Sequence, residues 1–291
     1  IIIDPNFLPK NINIKILKQP PLTSNIERNS LTVIRQNFVE PRTPGKPNPN
    51  HAEATIEAIK RGVKFVKNGQ CSAICTMPIS KSILKEGADF PFPGHTEYLA
   101  HLDESKNYAM MLVNKYLRVV PVTIHIPIKD ITKYLNTELI EKTIKTTHQE
   151  LNSRFSISNP NIWISGLNPH AGENGTIGDE EQKFIIPIIK KLQSEGYNLL
   201  GPLSADTMFY GKKRPRFDAA ICMYHDQALI PIKTLDFHSS VNLTIGLSFI
   251  RTSPDHGTAF DIAGKNLANP TSTIEAIKLA WNMAKKEQKD R

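Results

Sequence analysis

Three histidines, His125, His170 and His225, fall at or just beyond the ends of short apolar runs: Val119 to Ile126, Asn161 to Gly166 and Ala219 to Met223. Such runs read as strands buried on both faces. In open α/β sheets, ligands bind just beyond the carboxyl ends of the strands, where residues distant in sequence converge. Three neutral imidazoles bind zinc and leave a fourth position for water or substrate; nickel, cobalt or manganese suit the same donors. The spacing matches no local metal motif, and three separately hydrogen-bonded histidines are the plainer alternative. Asp206 and Asp226 suit either of two tasks, orienting the imidazoles or capping turns.

Lys233, Asn242 and Arg251 stand at later strand boundaries. Lys offers a phosphate a compact charge and Arg a bidentate fork, although each taken singly also suits a solvated surface. Gly94-His95-Thr96 reads as a helix start, where free backbone N–H groups suit a phosphate or carboxylate. A plain Thr96 cap with His95 on the surface is the other reading.

The elements that must position these groups alternate along the chain. Asn13 to Leu17 and Leu31 to Val39 read as extended, and Pro41 to Asn50 as a loop. Ala52 to Val66 carries Ile56, Ile59, Val63 and Val66 at helical spacing and stops at Asn68-Gly69. A strand follows over Ser72 to Met77, then a helix near Ser80. Asn136 to Leu151 is an amphipathic helix with Ile140, Ile144, Thr147 and Leu151 on one stripe. Asp179 to Gln193 is a helix that must kink or break at Pro187. Val241 to Gly246 reads as a strand, and Pro254 to Pro270 as loop or helix-terminus structure. The final helix opens on a capping box, Ser272 with Glu275, and presents Ile274, Ile277, Trp281 and Ala284 as its apolar face. The alternation predicts a largely parallel α/β sheet.

With 291 residues, 40% hydrophobic and 22% charged, the chain has the composition of a globular protein long enough for two cores. No run reaches the roughly 18 apolar residues of a membrane span, so no membrane is expected, and no secretory signal is visible. The chain starts inside an apolar run, Ile1-Ile2-Ile3, without a Met, and is expected to be a piece of a longer protein. The net charge of +8 favours anionic small molecules over nucleic acid. Its densest basic clusters, Lys212-Lys213-Arg214 with Arg216 and Lys285-Lys286, lack the interleaved aromatics of a single-strand platform. Cys71, Cys75 and Cys222 fit no disulfide framework and no CxxC pair. Cys75 and Cys222 lie in apolar runs and are expected to pack there, in a reducing, cytoplasmic compartment.

The segment PDHGTAFDIAGKNLANP, from Pro254 to Pro270, resembles the cofactor loop of isocitrate and isopropylmalate dehydrogenases. With GHTE, NPHAGE, GPLSADT, YHDQ, RTSPDHGTA and the His125 strand, the chain resembles the 4-hydroxythreonine-4-phosphate dehydrogenase family of pyridoxal 5′-phosphate biosynthesis, from about His51 to the last helix. The resemblance implies an isocitrate/isopropylmalate dehydrogenase-like fold, two α/β domains around a central cleft. Residues 1–100 plus 246–291 would form the first domain and 101–245 the second, with the dimer interface. It further implies that His125, His170 and His225 bind a divalent metal (zinc, magnesium or cobalt), and that both subunits of a homodimer supply metal ligands. His95, Thr96, Lys233, Asn242 and Arg251 would hold the phosphorylated substrate, with NAD or NADP near His256, Gly257, Thr258, Asp261 and Asn269.

The implied reaction oxidises 4-phosphohydroxy-L-threonine at the alcohol β to the carboxylate and then decarboxylates it to 3-amino-2-oxopropyl phosphate. Lys233 would stabilise the enolate or move a proton, with Asp206 as general base. A paralogue acting on a phosphothreonate or phosphoerythronate, and a non-catalytic ligand-binding module, are the alternatives. The family's glycine-rich GEPAGIG turn is absent, and CTMPISK (Cys75 to Lys81) replaces its TGPVHK-like segment.

Overall fold

Two separately packed units account for the chain: Ile1–Glu104 with His256–Asn269, and Ser105–Asp255 with Pro270–Arg291. The computed structural model describes residues 1–21, 29–210 and 217–289; the basic cluster Lys212, Lys213, Arg214 and Arg216 lies outside them. Residues 246–255 and 270–291, expected with the first unit, pack with the second, because a β-hairpin and the helix against it carry them there.

The first unit holds a small parallel sheet in which β3 (Leu31–Arg35) lies between β1 (Ile2–Ile3) and β2 (Ile14–Leu17). Then come α1 (Ala52–Lys67), β4 (Ala73–Cys75), α2 (Lys81–Ala88) and α3 (His95–Asp103). The helical spacing of α1 works as read: Ile59, Val63 and Val66 are buried, and Asn68 caps its end.

The second unit begins with β5 (Ala109–Val113), β6 (Arg118–Thr123), α4 (Ile131–Tyr134) and α5 (Thr137–Ser153). It continues through β7 (Ile162–Ser165), α6 (Ile186–Ser194), β8 (Leu199–Leu203), α7 (Ala205–Met208) and β9 (Ala219–Tyr224). It closes with α8 (His225–Leu235), β10 (Val241–Ile245), β11 (Ile250–Pro254) and α9 (Thr271–Lys289). Within this unit the strands lie in the order β11-β10-β5-β6-β9-β7-β8. Pairing is parallel across β6-β9-β7-β8 but antiparallel across β11-β10-β5-β6. The sheet is therefore mixed, not largely parallel as expected. Short connections from β5 to β6 and from β10 to β11 permit hairpins where a parallel pair would need a long crossover.

Core positions follow the periodicity over most of the unit. Ile140, Ile144, Thr147 and Leu151 on α5 are fully buried, and the Asn136 side chain accepts the Leu139 N–H at its start. Of the apolar face expected for α9, only Ala284 packs. Ile274, Ile277 and Trp281 are exposed, whereas Ser272, Ala276, Ala280, Met283 and Ala284 are buried. Small side chains on that stripe let the helix approach the sheet closely, and the Thr252 hydroxyl donates to the Ala276 carbonyl. Nor does the capping box form: Ser272 Oγ donates to Ser240 O at 2.7 Å and accepts the Asp255 N–H, while Glu275 pairs with Lys278.

Arg154, at the end of α5, ties this half together. Its guanidinium bonds Glu150, Glu287 and the Leu247 carbonyl, joining α5, α9 and the turn between β10 and β11.

Candidate active site

Parallel neighbours β6, β9 and β7 end on the same edge of the sheet, and each expected histidine follows one of those ends. His125 comes two residues after β6 in a left-handed conformation, φ 53°. His225 is the first residue of α8, immediately after β9. Their rings lie 5.9 Å apart, centroid to centroid, and line one cavity of about 180 Å³ with Thr123, Ile131, Tyr224 and Asp226. Asp226 Oδ1 is 2.7 Å from His225 Nδ1. A carboxylate only accepts, so Nδ1 carries the hydrogen and Nε2 of the neutral ring is left as the ligand atom.

Cross-strand side-chain bonds fix these strand ends. Thr123 Oγ1 donates to Met223 O at 2.7 Å, tying β6 to β9. The buried Gln227 amide accepts from Ser165 Oγ and Met223 N–H and donates to Gly166 O, tying β9 to β7. Gln227 directly follows Asp226 in the sequence, whereas Thr123 carries no signal there. Cys222 packs completely inside β9, where burial pushes its thiol up to about 12. It is no nucleophile there. Cys75 is half-buried.

His170 is not among the residues lining that cavity. Among the described residues, no group of three or more His, Cys, Asp or Glu side chains converges to hold a metal ion. The segment Pro169–Gly175 is a tight irregular turn in which His170, Ala171, Gly172, Glu173 and Asn174 are all left-handed. Left-handed backbone costs a non-glycine residue roughly 1–2 kcal/mol, so the turn requires strong support. Asp206, on α7, accepts from Ser204 Oγ at 2.6 Å. That bond, with the backbone N–H groups of Asp206 and Thr207 and the charge of His170, holds its carboxyl below the usual range. Asp206 is thereby held as a carboxylate on the short helix that follows β8, and its expected part as a base becomes a proposal about the reaction. The donor set fits a divalent ion in part: two imidazoles of one chain converge, and a third ligand must come from outside that pair.

The anion-binding candidates of this unit occupy α8 and the hairpin of β10 and β11. Lys233 Nζ is 3.0 Å from Asp255 Oδ2, both largely shielded. Arg251 is 3% exposed, and its Nη1 donates to Thr244 Oγ1 at 2.9 Å. Asn242 has a buried amide oxygen with no hydrogen-bond partner, a group that a bound ligand would satisfy.

The remaining candidates belong to the first unit. His95 and Thr96 open α3, whose N-cap is Gly94 with no side-chain capping bond. Thr96 is therefore not the cap but a residue of the first turn, the part of a helix whose backbone N–H groups suit an anion. A Cβ on Gly94 would lie 2.9 Å from Glu97 Oε2 and 3.6 Å from Lys81 Nζ. Lys81 thus joins the group, although its surrounding segment departs from the pattern. His256, Gly257, Thr258, Asp261 and Asn269 lie on a mostly exposed loop, irregular apart from a short turn at Phe260–Ile262. Ala259 is left-handed, and Gly257 faces open space. Hydroxyl, carboxylate and amide side chains on such a loop suit the ribose and phosphates of a dinucleotide.

An α/β sheet with its histidines at parallel strand ends is of the isocitrate/isopropylmalate dehydrogenase-like class, and solved structures agree. One titled as 4-hydroxythreonine-4-phosphate dehydrogenase from Klebsiella pneumoniae superposes with a TM-score of 0.87 at 33% identity, over 97% of this chain and 89% of that one. The family model for "Pyridoxal phosphate biosynthetic protein PdxA" matches residues 1–280, and the chain belongs to that family. A relative from Roseobacter denitrificans named 4-hydroxythreonine-4-phosphate dehydrogenase is 52% identical over 282 residues, 97% of this chain and 86% of the relative. Another of that name from Paracoccus denitrificans is 49% identical over 287 residues, 97% of this chain and 88% of its own. No helix among the described residues is long and apolar enough to cross a membrane.

Proposed function

We propose that the chain is a homodimeric, NAD- and metal-dependent dehydrogenase that oxidises 4-phosphohydroxy-L-threonine at the alcohol β to its carboxylate. Decarboxylation to 3-amino-2-oxopropyl phosphate follows. The observation that carries this reading is the His125–His225 pair at the ends of β6 and β9, in a chain about half identical to relatives bearing that enzyme's name. The two imidazoles, with His170 of the partner subunit, would hold the divalent ion (zinc, magnesium or cobalt). When bound, such an ion supplies Lewis acidity to the substrate alcohol, and NAD or NADP takes up the hydride.

The chain's own side chains supply the rest. Arg251, braced on Thr244, and Asn242 orient the phosphorylated substrate; the family's motif assigns His95 and Thr96 to the same ligand. Lys233 holds a positive charge beside Asp255, suited to an enolate or to returning a proton as carbon dioxide leaves. The loop bearing His256, Gly257, Thr258, Asp261 and Asn269 orients the dinucleotide. Asp226 keeps the His225 ring in the tautomer that offers Nε2.

The test is absorbance of reduced nicotinamide with 4-phosphohydroxy-L-threonine and NAD. We expect turnover, a fall of at least about 100-fold on chelation, matching several kcal/mol of Lewis-acid stabilisation, and recovery with zinc or cobalt. Turnover of phosphothreonate or phosphoerythronate alone would reassign the substrate, and undiminished turnover after chelation would remove the metal.

A further inference from the structure

The left-handed turn that carries His170 is built around one buried carboxylate. Glu181 is 1% exposed. Its Oε1 accepts the Leu167 and Asn168 N–H groups, both at 2.7 Å, and its Oε2 accepts Asn168 Nδ2 at 3.0 Å. Asn168 Nδ2 reaches Glu180 Oε2 as well, at 2.7 Å. Three glycines leave room for this arrangement. A Cβ on Gly172 would lie 2.5 Å from Glu181 Oε2, one on Gly166 3.0 Å from Oε1, and one on Gly178 2.4 Å from Asn168 Nδ2.

The helix that supplies Glu181 is itself modified. The expected helix from Asp179 to Gln193 begins with a π turn, Glu181–Ile185, before α6 takes over with Pro187 in its first turn. Wide turns of this kind occur often at functional sites. Here Glu181 opens the π turn and points its carboxylate at the backbone entering the His170 turn. A charged acceptor forms stronger bonds to N–H groups than a neutral one, and two oxygens satisfy donors that one amide oxygen would not.

We infer that Glu181 is a positioning residue for His170: it locks the 167–172 backbone so that the imidazole is held ready for a metal ion before one arrives. The inference rests on the reading of His170 as a metal ligand, shared between subunits. Outer groups that orient metal ligands typically change affinity by 10–100-fold when removed, and Glu181 acts at that range through the backbone rather than through the ring.

The experiment is a cobalt(II) titration of the full, chelator-treated protein, followed by visible absorption, with amide hydrogen exchange read over residues 167–175. Glu181→Gln should weaken cobalt binding about 10–100-fold and speed exchange at Leu167 and Asn168. Asn168→Ala removes only the side-chain arm and should weaken cobalt binding in the same direction by a smaller factor; it decides the matter if Glu181→Gln does not fold. A purely structural Glu181 would lower the melting temperature and leave cobalt affinity at the wild-type value in both variants, which overturns the inference. His170→Ala is the control: if it too binds cobalt like wild type, the metal-ligand reading falls and takes this inference with it.

Discussion

Arg251 shows how a single residue joins fold and site. It is buried on the hairpin of β10 and β11 with one guanidinium nitrogen on Thr244, so the planar fork is fixed before any ligand arrives. Arg251→Lys keeps the charge and loses the fork. Steady-state kinetics should show KM for the phosphorylated substrate rising about 10-fold, the cost of one charge-assisted hydrogen bond, with kcat nearly unchanged. An unchanged KM would remove Arg251 from the phosphate contacts. The sequence shows such residues by type and by their place at strand ends, which is why His125, His225, Asn242 and Arg251 could all be singled out. Thr123 and Glu181 escape notice because their task is to satisfy backbone groups. Nothing in their types separates that work from an ordinary polar surface.

At the scale of the element, strands and helices of strong periodicity were readable, and the failures have physical causes. The stripe of α9 that packs joins Met283 and the expected Ala284 to Ser272, Ala276 and Ala280, small residues that carry little apolar signal. The larger Ile274, Ile277 and Trp281 drew the eye to the exposed side. β8 contains Gly201 and Pro202, residues that disfavour a strand, and no element is expected there; its pairing with β7 overrides that preference. The helix α8 likewise holds Pro231 within it, a residue that marks helix ends more often than helix interiors. Thermal or denaturant unfolding checks the α9 correction. Met283→Ala should destabilise by about 2–4 kcal/mol, as buried truncations do, and Ile277→Ser by no more than about 0.5 kcal/mol. The reverse order would restore the face read from the sequence.

For the whole molecule, the division of the histidines is the leading feature: His125 and His225 meet, and among the described residues His170 does not join them in a three-ligand cluster. If His170 serves the partner subunit, the site is shared in the way an isologous dimer requires, each copy giving and receiving the same group. Inactive His170→Ala and inactive His225→Ala proteins should then recover activity when mixed under exchange conditions. In the mixed dimer one site collects both intact contributions, and the other collects both defects. Kinetic assay of the mixture should approach half of wild-type activity per mixed dimer. No recovery, with subunit exchange shown separately, would place all three histidines in one chain's site.

The bond from Thr123 to Met223 spans 100 residues of sequence, and the strands it joins are immediate neighbours. A ribosome adding roughly 5–20 residues per second needs about 5–20 s to go from one to the other. Throughout that interval β6 has its hairpin partner β5 on one side and an unpaired edge on the other, the kind of edge that recruits foreign strands. The histidine pair can thus assemble only once β9 has been made, and until then the growing chain needs protection at the edge where the two rings will later meet.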